Sequence, residues 1–399
     1  MEEQGGRVVG RKKIAIFLGD CFWSSTPYDG IPLYNFLKNH YSVDFLMFES
    51  DIRLNKVFNS SEKFNFDTKK FKNLSNLKKI KNWDDLYNVS LNYSLIITSS
   101  RIAPKTRFPF KSKKFRSLTE CPIAVWDIGG ADILTDAVQF ADYFFVKGPI
   151  WKKWMIKMGY DEKTIFITGS PHYDKYLEEY ETHAIEKVLN RQQFNEKYDL
   201  KYEKRILLAP SNPASHTKQF NESMNSLETM VRLCEKNNIE LLLKTYPHDY
   251  IFYDNEIPYS GIYKRKYTNK PQYQYIADMF PTIKIVESQD HFAAVKHVDK
   301  IYNMAGSSIA WETFFTNSVS YSTNFKKQKY YKKLSYLPEY IEFPDEEMNI
   351  HVDNCEQIIK GAYNINKDLC SNFILKNFIL KEISIFNIFE AVKQILNGH

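Results

Sequence analysis

The chain has 399 residues, of which 43% are hydrophobic and 16% aromatic, and its formal net charge is +6. This length favours two domains over a single core. Five scattered cysteines, none in a Cys-x-x-Cys pair, argue against a disulfide framework or a zinc ribbon and fit a reducing compartment. No apolar stretch approaches the ~18 residues of a membrane span, so we expect a cytoplasmic protein, or one bound to a membrane surface.

The first half of the chain alternates short apolar segments with helical ones. Strands are predicted at 12–19, 41–49, 94–98, 121–126, 141–146 and 164–168. Apolar strands separated by helices predict a parallel sheet that is covered on both faces. The segment 55–82 is rich in Lys, Asn and Phe without clear periodicity, and is a candidate mobile insertion.

The strand and helix pattern restarts after an amphipathic segment at 173–198. Further strands are predicted at 205–209, 239–244, 282–286 and 299–304, and helical apolar spacing follows at 370–396. We therefore predict an α/β fold of two Rossmann-like parallel-sheet domains facing a cleft, with ligands at the carboxyl ends of the strands. The predicted units are a first domain at 1–175, a linker helix at 176–200, a second domain at 201–370 and a C-terminal helix at 371–399, which is a candidate to cross back to the first domain.

The stretch at 301–315 is predicted to be a strand end, a tight turn and a helix start. Gly306 permits backbone conformations that other residues resist, and Ser307 and Ser308 are good N-cap residues. A helix N-terminus carries free N–H groups and partial positive charge, which suits a phosphate. Glu312 lies one turn further on the same face as Ser308, where its carboxylate could accept two ribose hydroxyls. The alternative interpretation is an ordinary capped helix with Glu312 on its surface.

Basic residues cluster in three runs, at 69–81, 101–116 and 326–333. Such runs are usually solvated loops or helix faces. The alternative is a basic rim for an anionic acceptor or for lipid headgroups, in which Lys113, Lys114 and Arg116 are the candidate acceptor contacts. The sequence pI near 8.7 is modest, and no aromatic stacking platform interleaves with the lysines, which argues against nucleic acid as a partner.

Four short motifs follow predicted strands in a fixed order. They are Thr-Gly-Ser-Pro-x-x-Asp at 168–174, Ala-Pro-Ser at 209–211, Lys-x-x-Pro at 244–247 and Gly-Ser-Ser-x-x-x-Glu at 306–312. Together they resemble nucleotide-sugar glycosyltransferases of the two-Rossmann-domain (GT-B) architecture. The chain looks closest to bacterial surface-polysaccharide enzymes, including CDP-glycerol glycerophosphotransferases and the CMP-Kdo and sialic acid transferases. The resemblance covers roughly residues 120 to 315.

The resemblance implies transfer of a sugar, or of glycerol phosphate, from a CMP/CDP- or UDP-linked donor to a glycan or lipid-linked acceptor in surface polysaccharide synthesis. Such an enzyme would work in the cytoplasm or at the inner face of the membrane, as a peripheral protein. The candidate donor-binding residues are Ser170, Ser211, Lys244, Tyr246, Pro247, His248, Gly306, Ser307, Ser308 and Glu312.

The sequence departs from those families at three places, one of which is that the acidic-acidic-Gly motif of some sialyltransferases has only an echo, Tyr28-Asp29-Gly30. Tyr246 stands where many of them have the His of a His-Pro pair, and His248 follows the Pro, so the identity of the nucleotide stays open. Trp126-Asp127-Ile-Gly129 stands where the glycerophosphotransferases tend to have His-Gly.

The chemistry of transfer can be argued from the residues themselves. A departing phosphate is stabilised by preorganised N–H and hydroxyl donors, which Ser307 and Ser308 supply best, so we expect no metal and no cofactor. An inverting transfer also needs a base near the acceptor hydroxyl. Asp127 follows an apolar strand and precedes two glycines, which makes it the first candidate, although it could equally cap the next helix. Asp20 and Asp29 on the first loop are the other candidates, and Asp29-Gly30 also reads as a turn.

Two rival functions are also consistent with the sequence. One is a sugar-nucleotide epimerase of the same architecture, which would need several acids and a His around the sugar. The other is a non-catalytic protein that binds nucleic acid or membranes through the basic runs.

Overall fold

A computed structural model describes thirteen stretches of the chain. They are residues 12–17, 26–48, 76–81, 83–99, 121–128, 141–183, 187–209, 217–244, 272–287, 290–303, 309–322, 350–361 and 367–398.

The first described sheet has seven parallel strands. They are β1 (Lys13–Phe17), β2 (Ser42–Phe48), β3 (Leu77–Ile80), β4 (Leu95–Ser99), β5 (Ile123–Ile128), β6 (Tyr143–Val146) and β7 (Ile165–Ile167). Their spatial order is β3-β2-β1-β4-β5-β6-β7, and every pairing is parallel. The central strands are buried on both faces, as Ile14, Ala15 and Ile16 on β1 show with no exposed surface. This is the burial that continuous apolar runs in a parallel sheet predict.

The second described sheet repeats this arrangement with six parallel strands. They are β8 (Arg205–Ala209), β9 (Glu240–Lys244), β10 (Lys284–Val286), β11 (Lys300–Asn303), β12 (Val319–Ser322) and β13 (Ile350–His351). Their order is β10-β9-β8-β11-β12-β13. Each sheet therefore has a topological switch point, between β1 and β4 in the first and between β8 and β11 in the second. Ligands of open α/β sheets bind outside the carboxyl ends of the strands at such points.

Helices follow or separate the strands along the chain. They are α1 (Thr26–Leu37), α2 (Trp83–Ser90), α3 (Pro149–Lys157), α4 (Pro171–Asp174), α5 (Glu178–Thr182), α6 (Arg191–Tyr198), α7 (Thr217–Lys236), α8 (Gln272–Met279), α9 (His291–His297), α10 (Ile309–Glu312), α11 (Cys355–Lys360), α12 (Lys367–Asn377) and α13 (Ser384–Asn397). In the stretches that the structure describes, no helix is both long and apolar enough to cross a membrane.

Three sequence predictions about elements are wrong. The candidate mobile insertion at 55–82 is described only at residues 76–81, and there β3 belongs to the sheet and pairs with β2. The predicted linker helix at 176–200 is two short helices, since Asn190 begins α6 with a capping box in which its side chain accepts the Gln193 N–H and the Gln193 side chain accepts the Asn190 N–H. The predicted C-terminal helix at 371–399 is likewise divided into α12 and α13.

The C-terminal chain packs back onto the first sheet domain, as predicted. The Trp151 indole N–H of α3 donates to the Phe378 carbonyl at 2.9 Å. The α13 ring of Phe386 lies 5.1 Å from that of Phe36 on α1. At the far end of α13, the Lys12 ammonium donates to the Leu396 carbonyl.

Asp174 holds the start of α13 in this crossing. Its carboxylate accepts the Ser384 N–H at 2.9 Å, the Ser384 hydroxyl at 2.7 Å and the Ile385 N–H at 3.2 Å. Asp174 is only 1% exposed. The last residue of the Thr-Gly-Ser-Pro-x-x-Asp motif therefore satisfies the free N–H groups of a helix 210 residues later in the chain.

A second carboxylate organises the opposite, amino edge of the first sheet. Asp44 of β2 accepts a hydrogen bond from the Tyr93 hydroxyl at 2.7 Å. It also forms ion pairs with Lys78 at 2.8 Å and Lys13 at 3.2 Å. Burial alone would raise the pKa of Asp44, but these hydrogen bonds outweigh it and hold the pKa below its usual value.

Candidate active site

Two of the predicted donor-binding segments follow, in the sequence, the strands that flank the switch point of the second sheet. Ser211 follows β8, and the turn 306–308 follows β11, its neighbour in the sheet. Both lie outside the described residues, as do Tyr246, Pro247 and His248 after β9. Helix α10 begins at Ile309, where the sequence predicts a helix start. The strand order brings the carboxyl ends of β8, β9 and β11, after which these residues come in the sequence, to one edge of the sheet, where ligands of such sheets bind.

The remaining predicted residues are placed as follows. Lys244 ends β9 and is partly buried, while Ser170 is 2% exposed and precedes α4. Asp127 lies within β5 rather than after it, because β5 continues to Ile128 beyond an irregularity in its pairing with β6. Asp29 lies within α1. Asp20 and the acceptor candidates Lys113, Lys114 and Arg116 lie outside the described residues.

A buried cluster of titratable side chains gathers around Glu312. Its Oε2 accepts hydrogen bonds from the Tyr176 hydroxyl and from His291 Nε2, the latter at 2.6 Å. Its Oε1 lies 3.5 Å from His172 Nε2. Glu312 is 3% exposed and His291 8%. The carboxylate that was expected on a helix surface or against a ribose is therefore enclosed by protein donors.

Three helices and the segment after the first of them bring the cluster together. His172 is in α4 and Tyr176 follows it, so both come after β7, the last strand of the first sheet. His291 begins α9 after β10, and Glu312 ends α10 after β11, both in the second sheet. The chain reaches α4 through Gly169, whose φ of +83° is a conformation that glycine adopts without steric cost.

Aromatic rings surround these polar groups. The Tyr176 ring lies 5.3 Å from Phe292 and 5.9 Å from Phe315. Phe315 also stacks on Tyr173 at 5.2 Å, and the His172 ring lies 5.1 Å from Phe292. The apolar shell excludes water, so the hydrogen bonds to Glu312 are stronger than they would be at the surface.

Burial sets the protonation states in the cluster. Desolvation lowers the pKa of His291 to about 4, although the nearby Glu312 acts in the opposite direction. Burial would raise the pKa of Glu312, but the electrostatic interaction with His291 and its N–H, together with hydrogen bonds from His172 and His291, outweighs burial and holds this pKa well below the usual range. Burial, and secondly the neighbouring carboxylate, raise the pKa of Tyr176 well above its usual value.

At neutral pH the cluster therefore contains an ionised Glu312 and a neutral His291 that donates from Nε2. Its other ring nitrogen, Nδ1, is buried and has no hydrogen-bond partner in the described structure, as suits an unprotonated nitrogen. Two lysines place positive charge nearby. The Lys175 ammonium lies 4.6 Å from the Phe292 ring centroid, and Lys244 is close enough to help lower the pKa of His291.

The residue types in this cluster also suit a metal. One ligand atom each from His172, His291 and Glu312 lie within 4.8 Å of one another. Two ligands at ~2.0–2.1 Å in a tetrahedral zinc site would stand roughly 3.3 Å apart. The 2.6 Å between His291 Nε2 and Glu312 Oε2 is instead a hydrogen-bond length. Metal-bound histidines also usually donate their second ring N–H to a partner, which His291 Nδ1 lacks among the described residues. The observed spacing fits mutual hydrogen bonding better than metal coordination.

Sequence reasoning identified one member of this cluster and missed three. Glu312 was found from its spacing after the Gly-Ser-Ser turn. His172 lies inside the Thr-Gly-Ser-Pro-x-x-Asp motif, at a position the motif leaves open. Tyr176 follows α4 and His291 begins α9, and neither carries a local sequence signal. These side chains meet because the residues after β7 pack against α9 and α10, which the sequence does not reveal.

Several solved structures share the architecture of this chain. No protein-family model and no curated protein matches the chain. Among solved structures, the UDP-GlcNAc 2-epimerase of Methanocaldococcus jannaschii superposes with a TM-score of 0.53 at 14% identity, covering 96% of this chain and 100% of that one. A variant of the wall teichoic acid polymerase TagF superposes with a TM-score of 0.55 at 12% identity, covering 97% of this chain and 89% of that one. MnaA of S. aureus, solved with UDP, superposes with a TM-score of 0.54 at 13% identity, covering 97% of each chain.

The chain has the GT-B fold. At these identities the resemblance shows the fold alone, and it confirms the two Rossmann-like domains predicted from the sequence. The proteins that share the fold include a sugar-nucleotide epimerase and a polymerase of wall teichoic acid. Function must therefore be argued from the site.

Proposed function

We propose that the protein is a nucleotide-sugar-dependent transferase, which passes a sugar or glycerol phosphate to a glycan or lipid-linked acceptor in surface polysaccharide synthesis. The observation that supports this most is the switch point between β8 and β11, because the predicted phosphate loops at 211 and 306–308 follow these two strands. The fold neighbours support it too, since MnaA was solved with UDP and TagF is a wall teichoic acid polymerase.

In this proposal the second sheet binds the donor. Ser307 and Ser308 stabilise the departing phosphate, and Lys244 at the end of β9 adds positive charge. The first sheet binds the acceptor, and Asp127 of β5 removes the proton from the attacking hydroxyl, with Asp20 and Asp29 as the alternatives. A basic rim that includes Lys113, Lys114 and Arg116 attracts an anionic acceptor or membrane headgroups.

The donor role is tested by Ser307→Ala combined with Ser308→Ala. Hydrogen bonds to a charged group are worth about 1.5–3 kcal/mol each, so the double variant should bind CMP, CDP or UDP at least ~10-fold more weakly. Its melting temperature should stay that of the wild type. Unchanged affinity for the nucleotide that binds the wild type would refute the assignment.

The acid–base role is tested with Asp127→Asn, alongside Asp20→Asn and Asp29→Asn. Loss of a general base typically costs ~10²–10⁴-fold in rate, while nucleotide affinity should be unaffected. If Asp127→Asn stays active and one of the other variants is inactive, the base is Asp20 or Asp29 instead.

The acceptor role of the basic rim is tested by charge reversal at Lys113, Lys114 and Arg116. This should raise the apparent acceptor constant and reduce its salt sensitivity. Weaker donor binding with unchanged acceptor use would show that the two domains have been assigned the wrong roles.

An epimerase is the second candidate, and one observation favours it. Such an enzyme needs acids and histidines near each other, and Glu312 lies against His172 and His291. An epimerase would convert UDP-GlcNAc into another sugar nucleotide without any acceptor. A transferase would release free nucleotide only when an acceptor is added. Incubation with donor alone, followed by chromatography of the sugar nucleotide, separates the two activities.

A further inference from the structure

The carboxylate of Glu312 is already occupied by protein groups. An ionised carboxylate offers about four acceptor positions. Two of them receive the Tyr176 hydroxyl and His291 Nε2, and Oε1 faces His172. Since Glu312 is 3% exposed, a ribose could reach both of its oxygens only by displacing these side chains.

The groups that hold Glu312 come from both sheets. Tyr176 and His172 belong to the segment that follows β7, whereas Glu312 is the last residue of α10 beside the switch point of the second sheet. The contact is reinforced directly after α10, where Phe315 stacks on Tyr173 and Tyr176. Glu312 therefore joins the position of α10 to the end of the first sheet.

We propose that Glu312 is a positioning residue, whose carboxylate fixes α10 against the segment 171–176 and does not bind the ribose of the donor. The inference rests on the proposed nucleotide site at the same switch point. It has a direct consequence for binding. Loss of the carboxylate should weaken every nucleotide equally, whether or not that nucleotide carries ribose hydroxyls.

The first test compares dissociation constants for UDP and 2′,3′-dideoxy-UDP, and for CMP and 2′,3′-dideoxy-CMP, by calorimetry. Glu312→Gln should weaken both members of a pair about 10-fold, so that their ratio stays at the wild-type value. Tyr176→Phe removes only the hydroxyl and should cause a smaller loss with the same unchanged ratio. Tyr93→Phe is the matched control, because it removes the hydrogen bond from a tyrosine hydroxyl to a carboxylate at the far edge of the first sheet. It should leave both dissociation constants of each pair unchanged.

The opposite result would overturn the proposal. If Glu312 binds the ribose, Glu312→Gln should lose affinity for UDP or CMP while the dideoxy forms bind as before. The ratio of the dissociation constant of the dideoxy form to that of UDP or CMP would then fall towards one.

A second test needs no nucleotide and decides the positioning role by itself. Hydrogen exchange of the 309–315 amides should speed up in Tyr176→Phe and Glu312→Gln, while the β8 amides of these two variants exchange at the wild-type rate. In the control Tyr93→Phe, the 309–315 amides should also exchange at the wild-type rate. Unchanged exchange at 309–315 in both variants would overturn the proposal. If no nucleotide binds the wild type, the proposed function fails, and this exchange experiment still tests Glu312.

Discussion

Removal of the Asp174 carboxylate should destabilise the protein far more than loss of an ordinary helix cap. Three hydrogen bonds to a charged, buried acceptor at about 1.5–3 kcal/mol each give roughly 4.5–9 kcal/mol as an upper bound. Typical N-cap substitutions cost only ~0.5–2 kcal/mol. Because Asp174→Ala leaves the Ser384 N–H and hydroxyl buried without this acceptor, we expect a loss of about 3–5 kcal/mol in the free energy of unfolding.

The assay is urea denaturation followed by circular dichroism, with the slope and midpoint fitted for each variant. Asp161→Ala is the matched control, since Asp161 is an exposed cap whose side chain accepts only the Lys163 N–H, at 3.0 Å. It should lose no more than about 1 kcal/mol. If Asp174→Ala loses no more than Asp161→Ala, the carboxylate does not anchor the crossing of α13, and our account of the motif is wrong.

Three further predictions concern the packing and the charges of the fold. A Cβ at Gly148 would lie 2.5 Å from the Phe378 carbonyl carbon, so Gly148→Ala should cost about 1–3 kcal/mol in a urea titration, and a neutral effect would contradict this contact. The pKa of His291 in the folded protein is about 4, below its ordinary 6.5, and the pKa of Glu312 is also held low. On acidification the unfolded chain therefore binds protons at these two groups before the folded chain does. Stability should therefore fall as the pH drops from about 6.5 to 4, in a melting series that His291→Gln flattens; a wild-type melting temperature that stays constant over this range would contradict the assigned protonation states. Asp44→Asn should lose about 1–3 kcal/mol at pH 7, and the difference from wild type should shrink at acid pH; a constant difference would contradict an ionised Asp44.

The two sheets were predictable because their central strands are short apolar runs between turn residues. Strand β8 was predicted with the observed bounds, Arg205–Ala209. Strand β3 was missed because Leu77-Lys-Lys-Ile80 is an edge strand that exposes both lysines. Strand β12 was missed because Val319-Ser-Tyr-Ser322 carries two serines, which the fold nevertheless buries.

The site was less predictable than the fold, for a physical reason. Spacing along one helix identifies Glu312, because residues one turn apart share a face. Its partners Tyr176 and His291 lie 136 and 21 residues away in sequence, and their approach depends on how the two sheets pack. The same holds for Asp174, whose partner helix begins 210 residues later. The roles proposed for Ser307 and Asp127 remain predictions.

Nucleotide binding tests the central claim most directly. Calorimetric titration of the full chain with CMP, CDP, UDP, GDP and UDP-GlcNAc should reveal saturable binding of about one molecule per chain for at least one of them. The combined Ser307→Ala and Ser308→Ala variant should lose that binding while Tyr93→Phe keeps it. Absence of binding to all five compounds at millimolar concentration, or equal binding in the serine variant, would contradict a nucleotide site at the switch point of the second sheet.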